Sequence, residues 1–172
     1  MSVALYAVVV VLVAVERLVE LVVSKRNLAW AMARGGVETG RRHFPVMVAL
    51  HTGLLAGCVA EVWLARRPFR PRLAGPLLAV LGACQAVRFW CVRALGPRWN
   101  TRVIVVPGLE PVRSGPYRFM ENPNYAAVVV EGAALPLVHS AWITAAAFTV
   151  ADAALLRVRV RTEREALRKG TP

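Results

Sequence analysis

The stretch Gly115-Pro-Tyr-Arg-Phe-Met-Glu-Asn-Pro-Asn-Tyr125 sets tyrosines, an arginine and asparagines at the threshold of a long apolar segment. Two chemistries fit it. Asn122 followed by Pro123 reads as a helix start, with Asn capping orphan amides and Pro suited to the first turn. The same groups, with Tyr117, Arg118 and Tyr125, are also the kind that hold a polar cofactor at an apolar wall. A second set of reactive residues lies inside apolar runs: Glu16, Arg17, Glu20, His51, Arg88, Glu131 and Asp152. Ionisable groups there are costly, so they pair with one another or serve a function. Glu16 and Glu20 are four apart and share a helix face, and Arg17 lies three before Glu20.

These residues are held by a chain of 172 residues, a length that fits one domain. It is 57% hydrophobic with a mean hydropathy of +0.50, yet carries a formal charge of +12. Segregation reconciles the two, with apolar runs in lipid and basic loops at the membrane surface. The arginines flank hydrophobic runs and do not line one stripe, which argues against nucleic-acid binding. Cys58, Cys84 and Cys91 lie within apolar runs and read as small buried hydrophobes. Val3–Val23 follows a bare Met-Ser, with no basic leader and no cleavage site, and reads as a retained membrane helix.

Four apolar regions organise the chain: Val3–Val23, Pro45–Ala65, Leu73–Leu95 and Tyr125–Leu156. A bilayer core takes about 20 helical residues. The last region is too long for one crossing, and a helical hairpin breaking near Pro136–Ser140 resolves it. The expected fold class is therefore an all-α integral membrane protein of about five transmembrane helices. Residues 1–95 supply the first three, and residues 96–172 supply an ordered connector, the hairpin and a tail. Lys25, Arg26, Arg34, Arg41 and Arg42 follow the first run, and Arg93, Arg98, Arg102, Arg113 and Arg118 follow the third. Arg157, Arg159, Arg161, Arg164, Arg168 and Lys169 mark the tail, whereas Arg66, Arg67, Arg70 and Arg72 stand alone on the other side. The asymmetry predicts an outside N-terminus and a cytoplasmic connector and tail in the plasma membrane. All the intramembrane ionisable residues except Glu61 then fall in the cytoplasmic half, and Glu61 can reach Arg66 or Arg67. That clustering predicts a polar cavity open to the cytoplasm, a place where an amphiphile can meet a soluble cofactor. An interhelical ion-pair network with snorkelling ends accounts equally well for each residue taken singly.

The connector is dense in turn residues, with Gly96-Pro97, Pro107-Gly108, Pro111, Gly115-Pro116 and Pro123, and these make it ordered. No Gly-x-Gly-x-x-Gly follows a strand, and no catalytic Ser/His/Asp arrangement or metal-ligand spacing is present.

"GPYRFMENPNY", an apolar hairpin and then "RVRVRTEREAL" (Arg157–Leu167) resemble the isoprenylcysteine carboxyl methyltransferase family. Its usual pattern is Gly-x-Tyr-Arg, then Arg/Lys-His-Pro-x-Tyr, a hairpin, and an Arg-rich stretch ending in Glu-Glu. "SKRN" (Ser24–Asn27), "GRRHFPVMVALH" (Gly40–His51) and "RFWCVRALGPRWNTRVIVVPG" (Arg88–Gly108) are similar to a short bacterial subgroup of alkylpyrone and alkylresorcinol O-methyltransferases, with a type III polyketide synthase as the implied pathway neighbour. Two positions depart from the pattern. Asn122 replaces the His before Pro and cannot carry a proton, and Arg164 replaces the second Glu beside Glu163.

The resemblance implies an integral-membrane enzyme that uses S-adenosylmethionine and a lipophilic acceptor. It implies a cofactor site at Val112, Gly115, Tyr117, Arg118, Asn122, Pro123, Tyr125 and Glu163. Arg118 or Arg161 would meet the methionine carboxylate, where a guanidinium fork fits. Glu131, His51 and Arg161 are the catalytic candidates, with His43 as a further base, and Glu16, Arg88, Trp99 and Asn100 would meet the acceptor. His139, at the outer turn, is expected to stand apart. Taken singly, Tyr117 and Tyr125 also read as interfacial anchors, and the tail arginines as topology signals. Carboxyl methylation of a prenylated cysteine, a nicotinamide-dependent membrane reductase and a non-enzymatic membrane protein are the competing readings.

Overall fold

Ser2 accepts a hydrogen bond from the Leu5 amide and opens helix α1 (Val3–Met32), which runs nine residues beyond the expected end at Val23. Lys25, Arg26 and Asn27, expected in a loop, therefore stand on its last turns. The computed structural model describes residues 1–170. The side chain of Lys169, counted above among the basic tail residues, lies outside the described residues. After α1 come strand β1 (Val37–Thr39), α2 (His43–Leu64), α3 (Pro71–Leu95), strand β2 (Val103–Val105), α4 (Pro123–Leu137) and α5 (Trp142–Gly170). Short 3-10 turns at Gly96–Arg98 and Gly115–Arg118 punctuate the connector.

Among the described residues, two helical stretches, His43–Leu64 and Pro71–Arg98, are long and apolar enough to cross a membrane. At 1.5 Å per residue, α4 is only about 22 Å long, while α5 reaches about 43 Å and projects well past its partner. The long face of α1 presents Leu5, Val8, Leu12, Val15 and Val19 outward, a surface suited to lipid.

The hairpin breaks where the proline and the turn residues dictate. Pro136 lies in the last turn of α4, Ser140 takes φ 59°, and the Ala141 amide closes the turn on the Pro136 carbonyl. Glu61 then caps α5: its carboxylate accepts from the Ile143 and Thr144 amides and the Thr144 hydroxyl, and pairs with Arg67 at 2.8 Å. Of the two arginines expected to meet Glu61, Arg67 is the one that does. The arms of the hairpin touch closely, because a Cβ on Gly132 would lie 2.0 Å from the Phe148 ring.

Tyr6, Val10, Leu54, Cys58, Val62, Leu81, Leu135 and Phe148 form the core at the end of the bundle near this hairpin turn. His139 is buried there against the rings of Tyr6 and Phe69, away from the connector.

The sheet had no sequence signal. Val37, Glu38 and Thr39 pair antiparallel with Val105, Ile104 and Val103, so the loop after α1 is stitched to the connector after α3. Glu38 secures the seam by taking Arg102 at 2.6 Å and Arg41 at 3.1 Å. Burial would push its carboxyl up, but the two guanidinium groups outweigh it and hold it below the ordinary carboxylate range.

Candidate functional site

Two chambers meet at one end of the bundle. The inner one, about 280 Å³, lies among all five described helices and is lined by apolar side chains and by Arg17, Glu20, His51, Arg88, Asp152 and Arg159. The outer one, about 1170 Å³, lies between the connector, the start of α4 and the far end of α5. Trp99, Asn100, Asn124 and Tyr125 line both, and so form the wall between them.

The wall is positioned from α1. The Ser24 hydroxyl bonds Asn100 Oδ1 at 2.8 Å and the Thr101 hydroxyl at 2.7 Å, and it accepts from the Thr101 amide. The Asn100 amide group donates back to the Ser24 carbonyl. One turn on, Asn27 donates to the Trp99 carbonyl at 2.6 Å and to the Gly96 carbonyl at 3.2 Å. The loop thus carries most of its polar groups satisfied, and Trp99 is buried. From the other side Arg159 donates to the Thr101 carbonyl at 2.7 Å and lies 5.7 Å from the Tyr125 ring.

Of the residues expected at the cofactor, Val112, Tyr117, Arg118, Asn122, Tyr125 and Glu163 line the outer chamber. Gly115 and Pro123 do not line it; they shape it. Gly115 has φ 59°, and a Cβ there would come within 2.9 Å of Ala94. Pro123 is buried at the first turn of α4. Asn122 holds the N-cap position, but its side chain makes no capping hydrogen bond, so that amide remains available to the chamber. Tyr125 donates to Glu163 at 3.0 Å, joining the hairpin to the tail. Burial pushes the Glu163 carboxyl up from its ordinary range, while Tyr125 and Arg159 pull it back. Burial also raises the Tyr117 phenol, and neighbouring Cys91 adds to the effect. Across the mouth, Arg164 of the tail meets Glu121 of the connector at 3.0 Å.

Arg161 is not brought to either chamber. Its side chain is 83% exposed on the outer face of α5 and pairs with Glu165. It stands two positions after Arg159, and two positions on a helix turn the side chain to the opposite face. Glu131 is not at the chamber either. It is buried behind the inner wall, 3.3 Å from Arg17 and 3.7 Å from Arg88, and serves as their counter-ion. Glu16 turns outward, bonds Gln85 and Arg17, and lines a separate groove between α1 and α3. His43 opens α2 and lines neither chamber. His51, Arg88, Trp99 and Asn100 do line the inner one.

His51 has one ring nitrogen fixed by its own helix. Its Nδ1 lies 2.9 Å from the Met47 carbonyl, and a carbonyl can only accept, so Nδ1 carries the hydrogen. In the neutral ring, Nε2 is then the basic nitrogen. Phe148 packs edge-on against the ring and fixes it.

Sequence reasoning missed Arg159, Asn124 and Thr101. Arg159 had a usable signal: it precedes Glu163 by four residues and so shares its helix face. The role of Ser24 and Asn27 as clamps had none, since their partners are more than 60 residues away.

The outer chamber fits a cofactor of nucleoside size carrying both charges. Its lining offers carboxylate and tyrosine oxygens, the guanidinium groups of Arg98, Arg113 and Arg118, and a buried Asn124 Oδ1 without a hydrogen-bond partner. Among the described residues no cluster of three or more His, Cys, Asp or Glu could hold a metal ion.

Residues 77–169 match the Isoprenylcysteine carboxyl methyltransferase (ICMT) family. A Bacillus subtilis (strain 168) protein named "Uncharacterized protein YpbQ" is 37% identical over 155 residues, covering 90% of this chain and 92% of its own length. No solved structure matches.

Proposed function

The chain belongs to the isoprenylcysteine carboxyl methyltransferase family, a family of membrane methyltransferases, and on that premise we propose that it methylates a hydroxyl of a lipidic acceptor with S-adenosylmethionine. The observation that carries the reading is the common wall: a large polar chamber and a narrow helix-lined one share Trp99, Asn100, Asn124 and Tyr125 in their linings. One holds a charged, water-soluble donor and the other an amphiphile whose tail lies among helices.

Glu163, Tyr117, Tyr125 and Asn122, which line the outer chamber, would hydrogen-bond the adenosine, and Arg118 would meet the methionine carboxylate. When bound, S-adenosylmethionine supplies a methyl carbon to the acceptor oxygen and keeps the bonding electron pair on its sulfur. The chain supplies position and charge, which account for much of the barrier reduction in such a displacement. Arg159, with an unpartnered Nε beside the wall, would hold the oxyanion left when the hydroxyl proton departs and so make that proton easier to remove. His51 Nε2 takes the hydroxyl proton. Glu131 holds the inner arginines in place from behind. An acidic enolic hydroxyl needs little of this base, and a phenol needs more.

The acceptor that suits the inner chamber is a ring with a hydroxyl and a long alkyl tail, an alkylpyrone or an alkylresorcinol. A prenylated cysteine is the second reading, and Arg159 favours it equally, since an unpartnered guanidinium also receives a carboxylate. The topology that fits this chemistry has five crossings, an outside N-terminus, and the connector and tail in the cytoplasm where the cofactor is found.

The test is transfer of label from methyl-labelled S-adenosylmethionine by detergent-purified protein, offered an alkylpyrone, an alkylresorcinol and a farnesylated cysteine in parallel. Label on a ring hydroxyl is the expected result. Label on the prenylcysteine alone would replace the acceptor, and no transfer with no cofactor binding would overturn the reaction class.

A further inference from the structure

Charge asymmetry assigns the connector to the aqueous side of the membrane, yet its middle carries two side chains that water does not suit. Phe119 is 69% exposed and Met120 is 49% exposed, side by side in the lining of the outer chamber. The segment is seated firmly. A Cβ on Gly115, in the turn just before it, would come within 2.9 Å of Ala94 and 3.1 Å of Trp90 Nε1, so the turn lies directly on α3. Phe119 then packs edge-on against Trp90, with ring centroids 6.4 Å apart. Trp90 and its neighbour Phe89 are large exposed apolar residues themselves, so the outward apolar surface of α3 continues onto the connector. Arg93 lies over the Phe89 ring at 5.6 Å. Exposed rings beside a guanidinium are the composition of a membrane boundary, where rings sit at headgroup level and long basic side chains reach outward.

Two helices measure the depth of this patch independently. From Leu73, the first apolar residue after the outer arginines, α3 runs seventeen residues to Trp90, about 26 Å along the axis. Helix α5 starts at the same level, since Glu61 accepts from the Ile143 amide and pairs with Arg67 of the turn before α3. From Trp142 it runs twenty-two residues to Arg164, about 33 Å, where Arg164 meets Glu121 of the connector. The hydrocarbon core of a bilayer is about 30 Å thick. Phe119 therefore lies at the edge of the apolar layer and Glu121 just outside it. A helix tilt of about 20° shortens both lengths by roughly 2 Å and leaves that order unchanged.

We propose that Phe119 and Met120 are seated in the lipid surface, with Arg93 at its phosphates, so that the connector is a membrane-docked rim and not a free loop. Phe119, Met120 and Glu121 all line the outer chamber, so the chamber opens along the bilayer surface. The partner is the leaflet in which the end of α3 already stands. The inference goes beyond the proposed reaction and does not depend on what the chamber binds.

The experiment places a nitroxide on Met120→Cys and, separately, on Phe119→Cys. The full-length protein is held in nanodiscs of phosphatidylcholine and phosphatidylglycerol. Cys58, Cys84 and Cys91 are buried, and wild-type protein carried through the same labelling gives the background. Depth is read by electron paramagnetic resonance, from collisions with oxygen, which concentrates in lipid, against collisions with a water-soluble nickel chelate. Labels on the exposed Glu110→Cys and Leu12→Cys are the references for water and for lipid.

Both test labels are expected about 5 to 10 Å inside the phosphates, with the Glu110 label outside them. Nickel collisions at both test sites as frequent as at Glu110 would overturn the inference. Shielding from both reagents would overturn it too, because a second copy or another protein would then cover the patch. Lipid depth at both sites, in protein that transfers no methyl group, would uphold the docked rim and remove only the proposed reaction.

Discussion

In the outer chamber the polar groups belong to a proline-punctuated connector and a helix end, held by separate single ties such as Tyr125–Glu163, Arg164–Glu121 and Asn100–Ser24. In the inner chamber they belong to helices and are locked in a network of ion pairs running from Glu16 through Arg17 and Glu20 to Arg88 and Glu131. The difference follows from solvent. A connector can rely on water for whatever the cofactor does not bond. A chamber among apolar helices cannot, so each charge there needs a counter-charge built into a neighbouring helix. One chamber is specified by a local string of residues, the other by side chains that meet only after folding.

The sharpest break in the comparison comes from Gly132, which serves both chambers by letting α4 lie against α5. Gly132→Val would drive its side chain into Phe148 and is expected to cost about 3 kcal/mol. A fall in Tm of about 10 °C, with loss of both ligands, is the measurable outcome. Arg159→Met should leave the outer chamber intact, with the affinity for S-adenosylmethionine kept within about threefold, while kcat falls roughly 10²- to 10³-fold. Loss of cofactor binding instead would place Arg159 on the wrong side of the wall. His51→Gln should lower kcat by about 100-fold for a phenolic acceptor and by much less for an acidic enol. Equal losses for both would remove His51 as the base. Glu163→Ala should raise the cofactor Kd by about 10- to 100-fold and leave acceptor binding unchanged. Arg164→Ala breaks only an exposed pair with Glu121 and should alter either affinity less than about threefold.

Legibility in the sequence divides along the same line. The connector motif could be read directly, because Gly115, Tyr117, Arg118, Asn122 and Tyr125 lie within eleven residues and reach one chamber or its rim. The break near Pro136–Ser140 was equally legible, since proline and a left-handed residue end a helix locally. The inner chamber was legible only as a clustering of charges at one end of the bundle. Which of those charges face the cavity depends on helix rotation, and that is set by packing. Glu131 and Glu16 were both expected at the site and both turn elsewhere, one behind the wall and one toward an outer groove. Arg161 was preferred to Arg159 although a two-residue step reverses a helical side chain. The small sheet between Val37–Thr39 and Val103–Val105 is a long-range pairing of three-residue strands, too short for a period of two to register.

The central claim is that two ligands occupy separate chambers and meet at one wall. Asn124→Phe would fill that wall without removing a group from either chamber's far side. S-adenosylmethionine and alkylresorcinol binding, each measured alone and then together, would be set beside the rate of methyl transfer in the wild type and in this variant. The account predicts that each ligand alone binds within about threefold of wild type while transfer falls by at least 100-fold, since misplacement by a single side chain is enough to uncouple the reacting atoms. Transfer at the wild-type rate, or two ligands that compete for one place in the wild type, would contradict it.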